Sequence, residues 1–486
     1  MATLPLSIAS LSILNAMSRS GKPLRVMKFG GTSVGDAECI GRVAALVAGE
    51  AVSAEVVVVV SAMGGVTDML IRAASEASHG DREDWKGARQ ELARRHREVA
   101  DRLLYAAEQA QVLPRLAEEI GNFENLCSGF SLVREITPRA MDALSSLGEK
   151  MSALLVAAAL RSKGCAAEAV DATDLIVTDD HFGNASPYFD ETAVKTRERL
   201  GPLRRRGLIP VITGFRAATR EGLCTTLGRG GSDYSATLVG AALEADEVWI
   251  WTDVDGVMTA DPRLVPAAHI VPEVSYREAA ELSFFGAKVL HPKTIQPVVK
   301  RQIPVWIKNT FNPTCPGTRI GAASAGALPG VKALTTVSTA DLITVSGRDR
   351  LGFSELAARV FESLGREDIP TLMVTQSSAD NVLCFAVHDA DLLHVRAALE
   401  KAFELEVLHD YIAPPEVVPQ VAIVVLVGEN MKGTPGISGR AFSALGRRGI
   451  NIIAIAQGSS ELSISLAVRA AEVKDAVTAI HEEFEL

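Results

Sequence analysis

No CxxC pair occurs in this chain of 486 residues, and its six cysteines (Cys39, Cys127, Cys165, Cys224, Cys315, Cys384) are scattered. That spacing excludes the usual zinc site and a disulfide scaffold, and leaves reduced thiols as the expected state. A basic surplus is missing too: Lys+Arg 49 against Asp+Glu 59 gives a net charge of -10. An acidic chain is ill suited to nucleic acid or to an anionic membrane surface. Residues 1–23 lack the basic n-region of a signal peptide, and Ser7, Ser10, Ser12 and Asn15 interrupt an apolar run already too short to span a bilayer. They read as a flexible leader, with a later start available at Met17, and the chain reads as cytoplasmic. If the substrate is an anion, positive charge must be concentrated at one site against the global field.

Hydrophobic residues make up 48% and charged residues 22%, which excludes wholesale disorder. The length leads one to expect about three domains. From Leu24 to about Ile320, apolar strand-like runs alternate with Ala/Leu-rich helical spacing. LRVMKF (24–29), EVVVVVS (55–61), GLIPVITG (207–214) and DEVWIWTD (246–253) read as buried strands, and 149–163 and 232–245 as helices. Continuous apolar strands alternating with helices predict an α/β fold, a three-layer α/β/α arrangement around a mostly parallel sheet. Residues 81–120, with nine acidic and eight basic residues, read as a helical insertion with a solvated face.

The small-residue stretch GAASAGALPG (321–330) reads as a linker, and beyond it the chain repeats itself. ARVFESLGREDI (358–369) matches GRAFSALGRRGI (439–450), and VTQSS (374–378) matches IAQGS (455–459), at a constant offset of 81. Each copy reads strand, turn, helix, strand, strand, helix, so two small α+β modules are expected, with soft limits near 411–420 where a strand can be shared.

Four strands end in loops rich in Gly, Ser, Thr or Asp: Lys28-Phe29-Gly30-Gly31-Thr32-Ser33, Ser61-Ala62-Met63-Gly64-Gly65-Val66-Thr67, Gly228-Arg229-Gly230-Gly231-Ser232-Asp233, and Thr252-Asp253-Val254-Asp255-Gly256 running on to Arg263. Glycines directly after a strand let backbone N–H groups face an anion, and Lys28 adds a point charge. The first loop has neither P-loop GxxxxGK[ST] nor Rossmann GxGxxG spacing. In the third, arginine suits bidentate capture of a carboxylate, while Asp233 can hold an ammonium or orient a lysine. Loops at the carboxyl ends of parallel strands converge on one crevice, so Lys28, Arg229, Arg263 and Lys288 together point to a phosphate-plus-carboxylate site.

KFGGTS, LGRGGSDYSA, WTDVDGVMTADPR and ELSFFGAKVLHPKT together resemble the aspartate kinases of the amino-acid-kinase fold, over residue 24 to the C-terminus. The doubled module resembles that family's paired ACT domains. The tail MKGTPGISGRAFSALGRRGINIIAIAQGSSELSIS is similar to the kinase half of bifunctional aspartokinase–homoserine dehydrogenases, so the chain resembles a monofunctional member or an excised kinase portion. The resemblance implies ATP-dependent phosphorylation of the L-aspartate side chain to 4-phospho-L-aspartate, the first step of lysine, threonine and methionine biosynthesis. It implies a catalytic domain at 24–320, a linker at 321–336 and ACT-like modules at 337–411 and 412–486. Lys28 would neutralise charge on the transferred phosphoryl group, with Asp233 organising it. Ser61, Thr67, Glu149, Arg229, Gly230, Gly231 and Ser232 would meet the aspartate. Lys28, Gly30, Gly31, Thr252, Asp253, Met258, Arg263 and Lys288 would hold ATP, with Met258 standing where an aromatic is common. Magnesium would arrive with ATP, and no metal-ligating set of side chains is expected. Gln376 and Gln457, matched across the repeat, are the expected effector contacts, the effector being threonine or lysine. A homodimer or larger homo-oligomer through the ACT-like modules is expected. Two other readings remain open: a kinase acting on another substrate such as glutamate or a nucleotide, and a catalytically silent amino-acid sensor.

Overall fold

The computed structural model describes residues 21–79, 84–287, 290–322, 330–348, 352–377 and 381–486. Lys288, most of the leader and residues 323–329 of the linker lie outside them. The chain forms two compact units, one of residues 1–255 and 293–321, the other of residues 256–292 and 322–486. The division is therefore not a single cut near 320, because residues 256–292 group with residues 322–486.

The strands are β1 (Leu24–Phe29), β2 (Glu55–Val60), β3 (Ala167–Val170), β4 (Val177–Thr178), β5 (Ile209–Thr213), β6 (Arg216–Thr219), β7 (Cys224–Thr226), β8 (Glu247–Thr252), then β9 (Glu273–Ser275) in the second unit, β10 (Val305–Asn309) and β11 (Thr318–Gly321). In the first unit the sheet order is β3-β5-β2-β1-β8-β10-β11, parallel except for the β10–β11 pair. The strands expected from the apolar runs form within one or two residues of their expected limits. Valine-rich runs suit them because β-branched side chains fill a pleated surface buried on both faces.

The two faces are covered separately. Met27, Phe29, Val56, Val58 and Val60 join one core with the helices Ala37–Glu50, Val66–Ser78 and Leu147–Ser162. Val26 and Lys28 alternate to the other face, where the helix Gly231–Leu243 packs on β1. Helices Asp84–Leu103 and Ala106–Val133 occupy the charged stretch. Trp85, Leu92, Val99, Leu116 and Phe123 bury one side of them, while Arg94 pairs with Glu91 and Glu98 on the solvent side. The stretch Pro138–Ser162 is long and apolar enough to cross a bilayer, but 89% of its most apolar 18-residue window is buried inside the protein, as in a core helix.

In the second unit, β12 (Ala333–Ser346), β13 (Met373–Ser377), β14 (Val382–His388), β15 (Glu416–Val427), β16 (Ala454–Gln457) and β17 (Ser463–Arg469) form one sheet, ordered β13-β14-β12-β15-β17-β16. Helices Phe353–Arg366 and Leu392–Leu408 serve the first repeat, and Ile437–Arg447 and Val473–Glu483 the second, giving the expected order twice. The two repeats share strands. The start of β12 pairs with the end of β15, whereas the end of β12 pairs with β14 and with the start of β15. Accordingly Leu334 lies in the core with Leu426, Leu466 and Ile480, while Ile343 and Val345 lie with Phe385, Leu399 and Phe403.

Residues 256–292 are tied into the second repeat. Ala260 and Val265 enter its core, the Leu334 N–H donates to the Thr259 carbonyl at 2.7 Å, and Thr259 Oγ1 lies 3.0 Å from His481 Nε2. Glu278, fully buried, caps its own helix (Tyr276–Phe284) through the Ser275 N–H. It also accepts from Lys332 Nζ and the Glu429 N–H, at 2.7 and 2.8 Å.

Candidate active site

Three strands of the first unit run one hydrogen bond past their ends, which sets their following loops side by side. The Gly30 N–H reaches the Trp251 carbonyl at 3.1 Å, the Ser61 N–H the Phe29 carbonyl at 3.1 Å, and the Gly214 N–H the Val60 carbonyl at 2.8 Å. The loops after β1, β2 and β5 and the loop entering the helix Gly231–Leu243 enclose a cavity of about 380 Å³. Its wall includes Lys28, Gly31, Ser61, Thr67, Glu149, Gly230, Gly231, Ser232 and Asp233, nine of the residues singled out from the sequence.

Two helices begin at this wall, Val66–Ser78 after Gly65 and Gly231–Leu243 after Gly230. The first N–H of each is held by its own turn, Val66 to the Met63 carbonyl and Gly231 to the Gly228 carbonyl, and the next N–H groups of the first turn and the helix dipoles favour an anion there. Gly230 has φ +71, a left-handed conformation that a side chain would strain. At Gly31 a Cβ would sit 3.1 Å from the Ala62 carbonyl oxygen, so glycine lets the first two loops close on each other.

Lys28, only 8% exposed, reaches its place because β1 alternates it away from Met27 and Phe29, toward the start of the helix Gly231–Leu243. Its Nζ lies 2.5 Å from Asp233 Oδ1, an ion pair rather than an aligned hydrogen bond. Of the two roles open to Asp233, the geometry is that of a residue orienting a lysine.

Glu149 stands in the first turn of the helix Leu147–Ser162, 3% exposed. Oε1 accepts from the Ala62 N–H at 3.1 Å, and the buried Oε2 has no partner. Burial pushes its carboxyl up to about 7, against the pull of the Ala62 N–H, Arg216 and Lys28. A carboxylate with one free, desolvated oxygen in a cavity wall is suited to an ammonium ligand.

The other expected residues are distributed as follows. Arg229 is exposed, between Gly228 and Gly230, which line the cavity. Gly30 lies beside Lys28, where its Cβ would be 3.5 Å from Nζ. Thr252 ends β8, its hydroxyl donating to Asp253 at 3.2 Å, and Asp253 is exposed. Met258 and Arg263 belong to the second unit, where Met258 bridges to Ile270 and the exposed Arg263 pairs with Asp261 at 2.6 Å. Gln376 and Gln457 are exposed on β13 and β16, the two edge strands, which approach each other in space.

Sequence reasoning missed Phe215 and Asp68, both in the wall. Phe215 follows Gly214 at the end of β5, with φ +67 and its N–H donating to Ser235 Oγ at 3.0 Å. The same glycine-after-strand signal that marks the other loops is present there, in GLIPVITG followed by Phe215.

Comparison with known proteins bears on the whole chain. The model of the amino acid kinase family matches residues 23–309, and that of the ACT domain matches 343–403 and 424–484. Aspartokinase 2, chloroplastic, of Arabidopsis thaliana is 33% identical over 96% of this chain and 85% of its own length. Bifunctional aspartokinase/homoserine dehydrogenase 1, chloroplastic, of the same plant is 35% identical over 98% of this chain and 52% of its own. The chain thus spans about half the length of the bifunctional relatives it matches. Escherichia coli aspartokinase III, solved in complex with aspartate and ADP (R-state), superposes with a TM-score of 0.81 at 30% identity, covering 95% of this chain and all of that one.

Proposed function

The chain belongs to the amino acid kinase family, among its aspartokinases with paired ACT domains, and from that premise we propose that it transfers the γ-phosphoryl group of ATP to the side-chain carboxylate of L-aspartate. The product is 4-phospho-L-aspartate, and the reaction opens lysine, threonine and methionine biosynthesis. The observation that carries this reading is the Lys28–Asp233 pair at 2.5 Å in a cavity walled by two helix N-termini, with the free carboxylate oxygen of Glu149 in the same wall.

The β-carboxylate of aspartate is ionised at neutral pH, so its oxygen attacks the γ-phosphorus without a general base. The obstacle is electrostatic, because one anion must approach another. Lys28 faces the charge that develops on the equatorial phosphoryl oxygens, and Asp233 holds its ammonium in place. The N–H groups at Gly31, Gly64–Gly65, Gly230 and Ser232 add fixed donors. Glu149 receives the α-ammonium and Arg229 the α-carboxylate, with Ser61, Thr67 and Ser232 completing the aspartate subsite. Gly30, Gly31, Thr252 and Asp253 serve the nucleotide, a role that the family resemblance also assigns to Met258, Arg263 and Lys288. Among the described residues no three His, Cys, Asp or Glu side chains cluster as metal ligands. In this reading magnesium accompanies ATP, supplying further charge neutralisation, with phosphate oxygens and water among its ligands.

On the same reading residues 24–320 form the catalytic domain, 321–336 the linker, and 337–411 and 412–486 the ACT-like modules. These modules bind a feedback amino acid, threonine or lysine, near Gln376 and Gln457, and join subunits into a homodimer or larger assembly. The enzyme works in the cytoplasm. The test is ADP release coupled to NADH oxidation with MgATP and L-aspartate, together with hydroxylamine capture of the acyl phosphate. Turnover with glutamate but not aspartate would favour another amino acid kinase. No turnover together with effector binding would favour a sensor.

A further inference from the structure

Behind the cavity wall lies a buried cation that the reaction described above does not use. Arg216 is 6% exposed and opens β6, directly after the wall residue Phe215. Its guanidinium donates to Asp171 Oδ1 at 3.1 Å, to the Ser146 carbonyl at 3.2 Å and to Ser146 Oγ at 2.6 Å. The Ser146 hydroxyl in turn donates a hydrogen bond to the Asp142 backbone carbonyl at 2.6 Å. Ser146 immediately precedes the helix Leu147–Ser162, whose third residue is Glu149.

We infer that Arg216 is a positioning residue: it clamps the start of the Glu149 helix and sets both the place and the charge of that carboxylate for the substrate's ammonium. The inference rests on the aspartate kinase reading and names a determinant of its amino-acid subsite.

Stability alone does not account for the cation. Burying a guanidinium costs several kcal/mol, and replacing a buried ion pair with apolar side chains is often neutral or stabilising. A hydrophobic residue would suit a short strand in this core at least as well. What a hydrophobic residue cannot do is bind the Ser146 carbonyl and hydroxyl at once, or place positive charge near Glu149.

The charged and titratable groups around Glu149 are few. Lys28 on β1 attracts it but is already shared with Asp233. Lys150, its neighbour, is turned to Glu119 on the helix Ala106–Val133 at 2.7 Å. Asp142 is engaged by Gly183 and Thr226, Cys224 on β7 has its thiol pushed up by burial, and Asp68 lies in the cavity wall. Arg216 is ion-paired with Asp171, and its charge also pulls on Glu149 without a direct bond to it.

The experiment compares wild type, Arg216→Met, Arg216→Lys and Asp171→Asn in the full-length protein, measuring kcat and the KM for aspartate and for ATP from pH 6 to 9. In wild type, KM for aspartate should rise as pH falls and Glu149 takes up a proton. Arg216→Met should move that acid limb up by about one pH unit, which is about a fivefold rise in KM at pH 7, with KM for ATP within about twofold. Arg216→Lys, which keeps the charge but loses the fork, should fall between. Asp171→Asn, which leaves Arg216 less neutralised, should move the limb down, an opposite sign that does not depend on the methionine variant folding. Unmoved acid limbs in the soluble variants, or shifts of the same sign in Arg216→Met and Asp171→Asn, would overturn the inference. A wild type that does not turn over aspartate would instead overturn the reading on which it rests.

Discussion

Replacing Glu149 with glutamine keeps the side-chain shape and removes the charge, and the structure fixes what that should do. The folded carboxyl titrates near 7 against an ordinary value of 4.5, with burial as the leading cause. The folded protein therefore binds more protons than the unfolded chain between about pH 4.5 and 7, and its stability falls as pH rises through that window. The resulting loss of stability is about 3 kcal/mol at pH 8 and about 1 kcal/mol at pH 5.5, where the folded carboxyl is still protonated. Glutamine escapes that cost. Glu149→Gln should unfold later than wild type in urea or on heating at pH 8, with the gap closing toward pH 4.5. Its affinity for aspartate should fall at least tenfold at pH 8, as expected when a charged hydrogen bond to the ammonium is lost. The assay pairs unfolding followed by tryptophan fluorescence at both pH values with initial rates across aspartate concentrations. A variant no more stable than wild type at pH 8 would refute the burial argument. A variant of unchanged aspartate KM would refute the ammonium role.

Arg229→Ala should raise the aspartate requirement more than the ATP requirement; equal changes in both would remove it from the carboxylate subsite. Glu278→Ala should destabilise the second unit by about 3 kcal/mol, because Lys332 and the Glu429 N–H lose a fully buried acceptor, and urea unfolding would read it. In dose–response curves with threonine and with lysine, Gln376→Ala should weaken inhibition by the active effector. Unchanged inhibition would reject that position.

Much of the fold was legible because its signals are local. The run Glu55–Val60 and the glycine after each strand carry their structure in a few residues, and a crevice follows once parallel strands align their carboxyl ends. Eight of the nine wall residues were visible for that reason. The repeat at an offset of 81 likewise announced two modules with the same element order. What stayed hidden depends on contacts distant in sequence. Nothing near Arg216 announces Ser146, seventy residues earlier, or Asp171. The long β12–β15 ladder joining the repeats carries register shifts between Val337 and Leu342 that no periodicity encodes. Residues 256–292 read as a continuation of the kinase pattern, yet Ala260, Val265 and Glu278 bury themselves against the second repeat. Glu149 lay between. A first-turn acid is ordinary at a helix N-terminus, and only its burial and its free oxygen separate it from a structural residue.

The central claim is that Lys28, held by Asp233, neutralises the phosphoryl group passing from ATP to the aspartate side chain. It is tested most directly by hydroxylamine capture of aspartyl phosphate in wild type and Lys28→Ala, with folding checked by circular dichroism. Wild type should form the hydroxamate only with MgATP and L-aspartate together, and Lys28→Ala should form it at least about a hundredfold more slowly with its fold intact. Equal rates in the two proteins, or no hydroxamate from wild type, would contradict the account.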